Sequence, residues 1–234
     1  MTWYHLDSGA GSPAFNMALD EALLKRVSEW GRPILRFYGW SQPAATFGHL
    51  QRYAMVEKAT HLRPLIRRPT GGGVVAHDAD WTYSLTVPPG HEWHALTATE
   101  SYHRIHSWIR DAFLNLQIKS NLAPDAFVSP GSIPIHPRVP GSCFVGYEKF
   151  DLLFQGRKIA GAAQRRNRSG LLIQGSIQPL PGMERGLWQE SMLMAGSRLH
   201  GMEWQAWKPG DAEKVLADLL EKSVYSSESH QKKR

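Results

Sequence analysis

The chain has one cysteine among its 234 residues, Cys143. No internal disulfide can form, and nothing here asks for an oxidising compartment. Long apolar runs are missing as well. No stretch approaches 18 consecutive apolar residues, so no membrane-spanning helix is expected. The opening segment, MTWYHLDSGAG, lacks the basic stretch and apolar run of a secretory leader. The expectation is a cytoplasmic protein with no membrane partner. Runs of like charge are also lacking. The formal net charge is +6, yet no five or six basic residues stand together, so no nucleic-acid-binding arm is expected. The positive excess reads either as a solvated basic surface or as one that steers an acidic partner. Two of its clusters are Arg67–Arg68 and Arg165–Arg166 with Arg168.

Several catalytic signatures are absent too. There are 11 histidines, but none falls in H-E-x-x-H or at a cysteine–histidine ligand spacing, so no metal site is expected. His103 and His106, three apart, are expected on the polar or boundary face of a helix. No G-x-S-x-G elbow occurs, which argues against an α/β-hydrolase.

What remains is an ordinary globular composition, 42% hydrophobic and 21% charged, long enough to bury a sizeable core. Ser12-Pro13 reads as a helix start, a good N-cap followed by proline at the first helical position. Phe15, Ala18, Leu19, Ala22, Leu23, Val27 and Trp30 follow at helical spacing, and Gly31 and Pro33 close the helix. Residues 34–40 and 44–50 read as strands around a Ser41-Gln42-Pro43 turn. A short helix is expected near 54–61, then strand, glycine turn and strands over 65–87. Thr97 and Glu100 have capping-box spacing before a helix over 98–118. Residues 121–142 read as a long irregular loop. Strands follow from Phe144 to Leu180, with helices over 184–195 and 211–222. Helices and hairpins interleave without a βαβ period, which predicts an α+β fold with a mixed or antiparallel sheet. One domain is expected over 1–223, and a polar, disordered tail over 224–234.

Two segments carry candidate chemistry. In RRPTGGGVVAHD (67–78), three glycines stand between β-like segments. They cost chain entropy and suit a backbone that approaches a ligand closely. Arg68 could bring a planar donor fork to a carboxylate or phosphate. No Lys-Ser/Thr ending follows and no helix starts directly after it, which argues against a nucleoside-triphosphate P-loop. The other reading is a glycine-rich bend beside surface arginines. In GRKIAGAAQ (156–164), Lys158 precedes small residues, which leave room either for a thin ligand or for a closely packed neighbour. Cys143 is either a buried small hydrophobe or, with a cation such as Lys158 nearby, a nucleophile.

Four segments taken together, FNMALDEALL (15–24), WSQPAATFGHLQ (40–51), RRPTGGGVVAHD (67–78) and GRKIAGAAQ (156–164), resemble the superfamily of lipoate–protein ligases, octanoyltransferases and biotin protein ligases, in its lipoate and octanoate branch. The resemblance covers roughly residues 10 to 180. It implies a mixed, largely antiparallel β-sheet flanked by helices, with an acyl chain held between the two motifs. It also implies a site of Arg68, Thr70, Gly71, Gly72, Gly73, His77, Gly161, Ala163 and Gln164 for acyl or adenylate binding. Within the branch two chemistries are implied. Ligases use ATP and Mg2+ to make an acyl-adenylate. Transferases need no cofactor and take octanoate from acyl carrier protein through a cysteine thioester. Cys143-Phe144, 15 residues before Lys158, resembles the transferase arrangement and implies Cys143 and Lys158 as catalytic. Gly73 is closer to the ligases, and the chain is expected to be too short for the full accessory domain of many ligases. The implied acceptor is glycine cleavage H protein or a lipoyl domain of a 2-oxo acid dehydrogenase. A third reading is a protein that binds an acyl group or lipoyl domain without turnover.

Overall fold

The computed structural model describes residues 2–126 and 146–233. Cys143 and most of the expected 121–142 loop lie outside them. In chain order the elements are β1 (Thr2–Gly11), α1 (Pro13–Trp30), β2 (Ile34–Trp40), β3 (Ala44–Phe47), α2 (Tyr53–Ala59), β4 (Leu65–Arg67), β5 (Val75–His77) and β6 (Trp81–Val87). Then come α3 (Glu92–Ala95), α4 (Ala98–Asn115), β7 (Asn121–Leu122), β8 (Leu152–Phe154), β9 (Arg157–Asn167) and β10 (Gly170–Ile177). The chain continues through α5 (Arg185–His200), β11 (Glu203–Ala206), α6 (Asp211–Leu220), a π-helical turn (Glu221–Tyr225) and α7 (Glu228–Gln231).

The large sheet runs β11-β1-β2-β6-β10-β9-β8-β7, and a small one runs β4-β3-β5. β1 pairs in parallel with β2 and β11; the other pairs of the large sheet are antiparallel. This is the mixed, largely antiparallel α+β architecture expected. α4 and α5 cover one face through Trp108, Trp188, Ile105 and Met192, packed on Phe37, Leu85 and Ile173. α1 and α6 cover other apolar positions through Leu19, Leu23, Ala217 and Leu220, with Ile34 and Tyr38. No helix of the described residues is long and apolar enough to cross a membrane.

α1 starts and stops where its sequence says. Ser12 Oγ accepts from the Phe15 amide at 3.0 Å, Pro13 takes the first position, and Gly31 caps the end at φ +61°. The capping box of α4 forms as expected. Several elements differ from expectation, among them α3 (Glu92–Ala95), which the pattern does not announce, and β7 (Asn121–Leu122), inside the expected irregular loop. β1 and β11 are strands that the pattern does not announce, because both are specified by parallel pairing with remote segments rather than by local alternation. The expected disordered tail is instead packed: Tyr225 and Gln231 are buried. Gln231 Oε1 accepts from the Arg67 amide at 2.6 Å, and Arg67 Nη2 donates to the Gln231 carbonyl at 2.7 Å. A charged side chain bonded to backbone carbonyls supplies the ordering energy that the tail's polar composition does not.

Candidate active site

The strand registers fix the floor of the site. Tyr38, Thr82, Ser176 and Gly161 align in one row across β2, β6, β10 and β9. Arg36, Ser84, Gln174 and Ala163 align in the next row on the same face. Asp20, from α1, ties this second row together. Arg36 Nη1 and Ser84 Oγ donate to its Oδ1, each at 2.6 Å, and Gln174 Nε2 donates to its Oδ2 at 2.7 Å. Gln174 Oε1 in turn accepts from Thr70 Oγ1 at 2.7 Å. One buried carboxylate thus fixes both the sheet floor and the first residue of the glycine loop.

The small sheet forms the opposite wall. Arg68 does not extend outward. Its Nε donates to the Gly71 carbonyl at 3.0 Å and its Nη2 to the Gly73 carbonyl at 2.8 Å. The fork therefore shapes the loop from within. Gly72 stands at φ +86°, which favours glycine. Gly48 lies so close to the Gly72 carbonyl that a Cβ there would collide with it. His77 is fully engaged: Nδ1 meets Asp80 Oδ2 at 2.9 Å, Nε2 meets Thr46 Oγ1 at 2.8 Å, and the ring stacks on Trp40 at 3.8 Å. That favours a structural role for His77 in the wall.

Between floor and wall lies a mainly apolar cavity of about 480 Å³, mouth included, which Arg68, His77, Lys158, Gly161 and Ala163 all line. Lys158 Nζ lies 2.6 Å from Asp151 Oδ2, and both side chains are nearly enclosed. Gly161 permits this: a Cβ there would fall 2.5 Å from Lys158 Cε. Burial pushes the Asp151 carboxyl up, and Lys158 opposes that shift. Among the described residues no group of three His, Cys, Asp or Glu is placed to hold a metal ion.

The match to known proteins follows this geometry. Residues 12–178 match the lipoyl protein ligase A/B catalytic domain. The chain belongs to that family. Octanoyltransferase LipM of Bacillus subtilis is 40% identical over 181 residues, which is 75% of this chain and 65% of that protein. LipM of Halalkalibacterium halodurans is 39% identical over 183 residues, with the same coverage. The matched stretch thus spans 65% of the length of these curated relatives. Among solved structures, a Thermoplasma acidophilum lipoate protein ligase with bound lipoic acid superposes with a TM-score of 0.78 at 18% identity, covering all of both chains. A lipoate-protein ligase A bound with ATP gives 0.75 at 18% identity, covering 99% of each. At that identity these likenesses speak for the fold.

Within this lipoyl ligase A/B domain, the expected site residues divide. Arg68, His77, Lys158, Gly161 and Ala163 reach the cavity. Thr70, Gly71 and Gly73 act on its wall through Gln174 and Arg68. Gln164 does not join them. It lies in register with Ile173 and Leu85, on the opposite face of the sheet, where its Nε2 donates to the Ala98 carbonyl at 3.0 Å. Its neighbour Ala163 faces the cavity, and side chains alternate along a strand, so both cannot point there. His106 also departs from expectation. It is 1% exposed, rather than on a polar or boundary face of α4, and His103 alone is exposed. Burial, then the charge of Lys158, depresses its imidazole to about 3. Sequence reading missed Asp20, Thr46, Asp80, Asp151 and Gln174. Asp20 lies inside a segment quoted for its family likeness, and buried aspartate is rare enough to be a signal. Thr46 lies in such a segment too, but nothing about its residue type marks it.

Proposed function

We propose that this protein is an octanoyltransferase of protein lipoylation, moving an octanoyl group from acyl carrier protein to a lysine of a lipoyl-carrier protein through a Cys143 thioester. The observation that carries the reading is a mainly apolar cavity, lined in part by glycine and alanine, into whose wall Lys158 comes while ion-paired with the enclosed Asp151. The likeness to LipM octanoyltransferases supports the choice of acyl group. In the first step the Cys143 thiolate attacks the donor's thioester carbonyl, forms a new thioester and expels the carrier's thiolate. In the second, the acceptor lysine's neutral amine attacks that thioester, an amide forms, the Cys143 thiolate leaves, and the amine's surplus proton passes to that thiolate or to solvent. Lys158, held by Asp151, supplies positive charge to the thiolate and to each tetrahedral oxyanion. Amides of the Gly71–Gly73 loop hold the acyl carbonyl, and the floor of Gly161 and Ala163 admits the chain. A thioester donor is already activated, so no nucleotide, metal or other cofactor is needed. The acceptor is glycine cleavage H protein or a lipoyl domain of a 2-oxo acid dehydrogenase. The reactions belong in the cytoplasm.

The test sets octanoyl-acyl carrier protein without ATP beside octanoate or lipoate with ATP and Mg2+, each with glycine cleavage H protein as acceptor. The expected result is added acceptor mass from the thioester without ATP, and an acylated Cys143 in the intact-mass spectrum. Acceptor modification only with ATP supports the ligase chemistry and overturns this reading. Undiminished thioester transfer by Cys143→Ser removes the covalent role.

A further inference from the structure

One wall of the cavity is organised by a carboxylate that is not itself part of the lining. Asp80 is 8% exposed, and its Oδ2 accepts three hydrogen bonds. They come from His77 Nδ1 at 2.9 Å, Thr82 Oγ1 at 3.1 Å and Ser176 Oγ at 2.7 Å. Its Oδ1 has no partner among the described residues. Such an orphan costs stability, and natural proteins tolerate the cost mainly where function needs it.

An ionised carboxylate can only accept, and this fixes every link beyond it. His77 then carries a proton on Nδ1, and in the Nδ1–H tautomer the ring offers a lone pair at Nε2. Thr46 Oγ1 lies 2.8 Å from that nitrogen, and in that tautomer its one hydroxyl hydrogen points there. The Thr46 oxygen then accepts from Arg68 Nη1 at 3.3 Å. Thr46, His77, Thr82 and Ser176 all line the cavity. Each is polar, yet the hydrogens of Thr82, Ser176 and His77 are drawn to Asp80, and that of Thr46 is drawn to His77. Thr82 also accepts from the Trp40 indole at 2.8 Å. None of these four residues is then left with a free polar hydrogen to offer the cavity.

We propose that Asp80 is a positioning residue that makes a cavity with polar residues in its wall selective for an apolar chain: it turns three polar hydrogens out of the cavity directly and a fourth through the His77 tautomer. The proposal deepens the acyl-transfer reading but does not depend on turnover. An Asp80→Leu side chain has nearly the same bulk but accepts nothing, so it frees the Thr82, Ser176 and His77 hydrogens to turn back toward the cavity, where an acyl chain cannot satisfy them. Asp80→Asn can keep an amide oxygen at the Oδ2 position and its NH2 at the partnerless Oδ1 position, so it keeps all three links.

The experiment titrates wild type, Asp80→Leu and Asp80→Asn with octanoate and with 8-hydroxyoctanoate by calorimetry, and reads the His77 ring nitrogens by 15N NMR. The wild type should show the Nδ1–H tautomer and prefer octanoate by about tenfold or more. Asp80→Leu should lose about tenfold in octanoate affinity and most of that preference, while Asp80→Asn retains the Nδ1–H tautomer and most of the preference. A merely structural role would lower both affinities alike. A folded Asp80→Leu protein with unchanged octanoate preference overturns the proposal. So does a wild-type His77 with its proton on Nε2, a reading that needs no variant to fold. If transfer from a thioester fails while these binding results hold, only the assigned reaction falls.

Discussion

Lys158 can lie against its strand only because residue 161 has no side chain. Gly161→Ala pushes on the far end of a flexible lysine, which can move aside. The expected outcome is a folded protein with transfer reduced about a hundredfold, since a displacement of about 1 Å at a reacting group costs that much. Gly175 makes the informative contrast. A Cβ there would drive into the buried ring of Tyr83, which has nowhere to go. Gly175→Ala should cost about 1–3 kcal/mol in chemical denaturation. Lys158→Met should lower kcat about 10²- to 10³-fold, with KM nearly unchanged, in steady-state transfer assays. His106 gives a pH prediction. Its folded-state imidazole titrates near 3, against about 6.5 unfolded. The lowered value means that its contribution is complete above about pH 6.5 and is lost as pH falls toward 3. From pH 7 to 5 that loss is about 2 kcal/mol, and it should be missing from the denaturation curves of His106→Leu.

Among the elements, those with local punctuation were readable from sequence. α1 has its Ser12 cap and its Gly31 stop, and α4 has a capping box. β9 and β10 turn tightly between Asn167 and Gly170. The elements that escaped are held by distant partners. β11 is a four-residue edge strand paired with β1, two hundred positions earlier in the chain. α7 is a short helix whose contacts are with Arg67, and no composition rule announces them. Gln231→Ala tests that strap. It strips the Arg67 amide of its acceptor and frees the Tyr225 carbonyl. An unfolding free energy lower by about 1–3 kcal/mol is expected, measured by urea titration.

At the scale of the whole molecule, the motif residues were legible because they sit in contiguous runs, whereas the roles of Asp20, Thr46, Asp80 and Asp151 depend on partners from other elements and loops. Only the three-dimensional register places Asp20 under Gln174 or Asp151 beside Lys158. The direction of a strand side chain was also lost to a motif reading, which is why Gln164 was grouped with Ala163. The net charge of +6 carries a further prediction. If the carrier proteins are acidic, KM for the acceptor should rise steeply between 50 and 300 mM salt, conditions chosen about the range where surface attraction is screened, while kcat stays flat. The fit of Gly48 against the Gly72 carbonyl has a consequence in time rather than in energy. The His49 amide donates to the Thr70 carbonyl, and the Arg68 amide donates to the Phe47 carbonyl. The two loops that frame this side of the cavity are therefore stitched at several points into one body. Their amides should exchange with deuterium at a common rate, and a molecule reaching the cavity past them meets one door, not two.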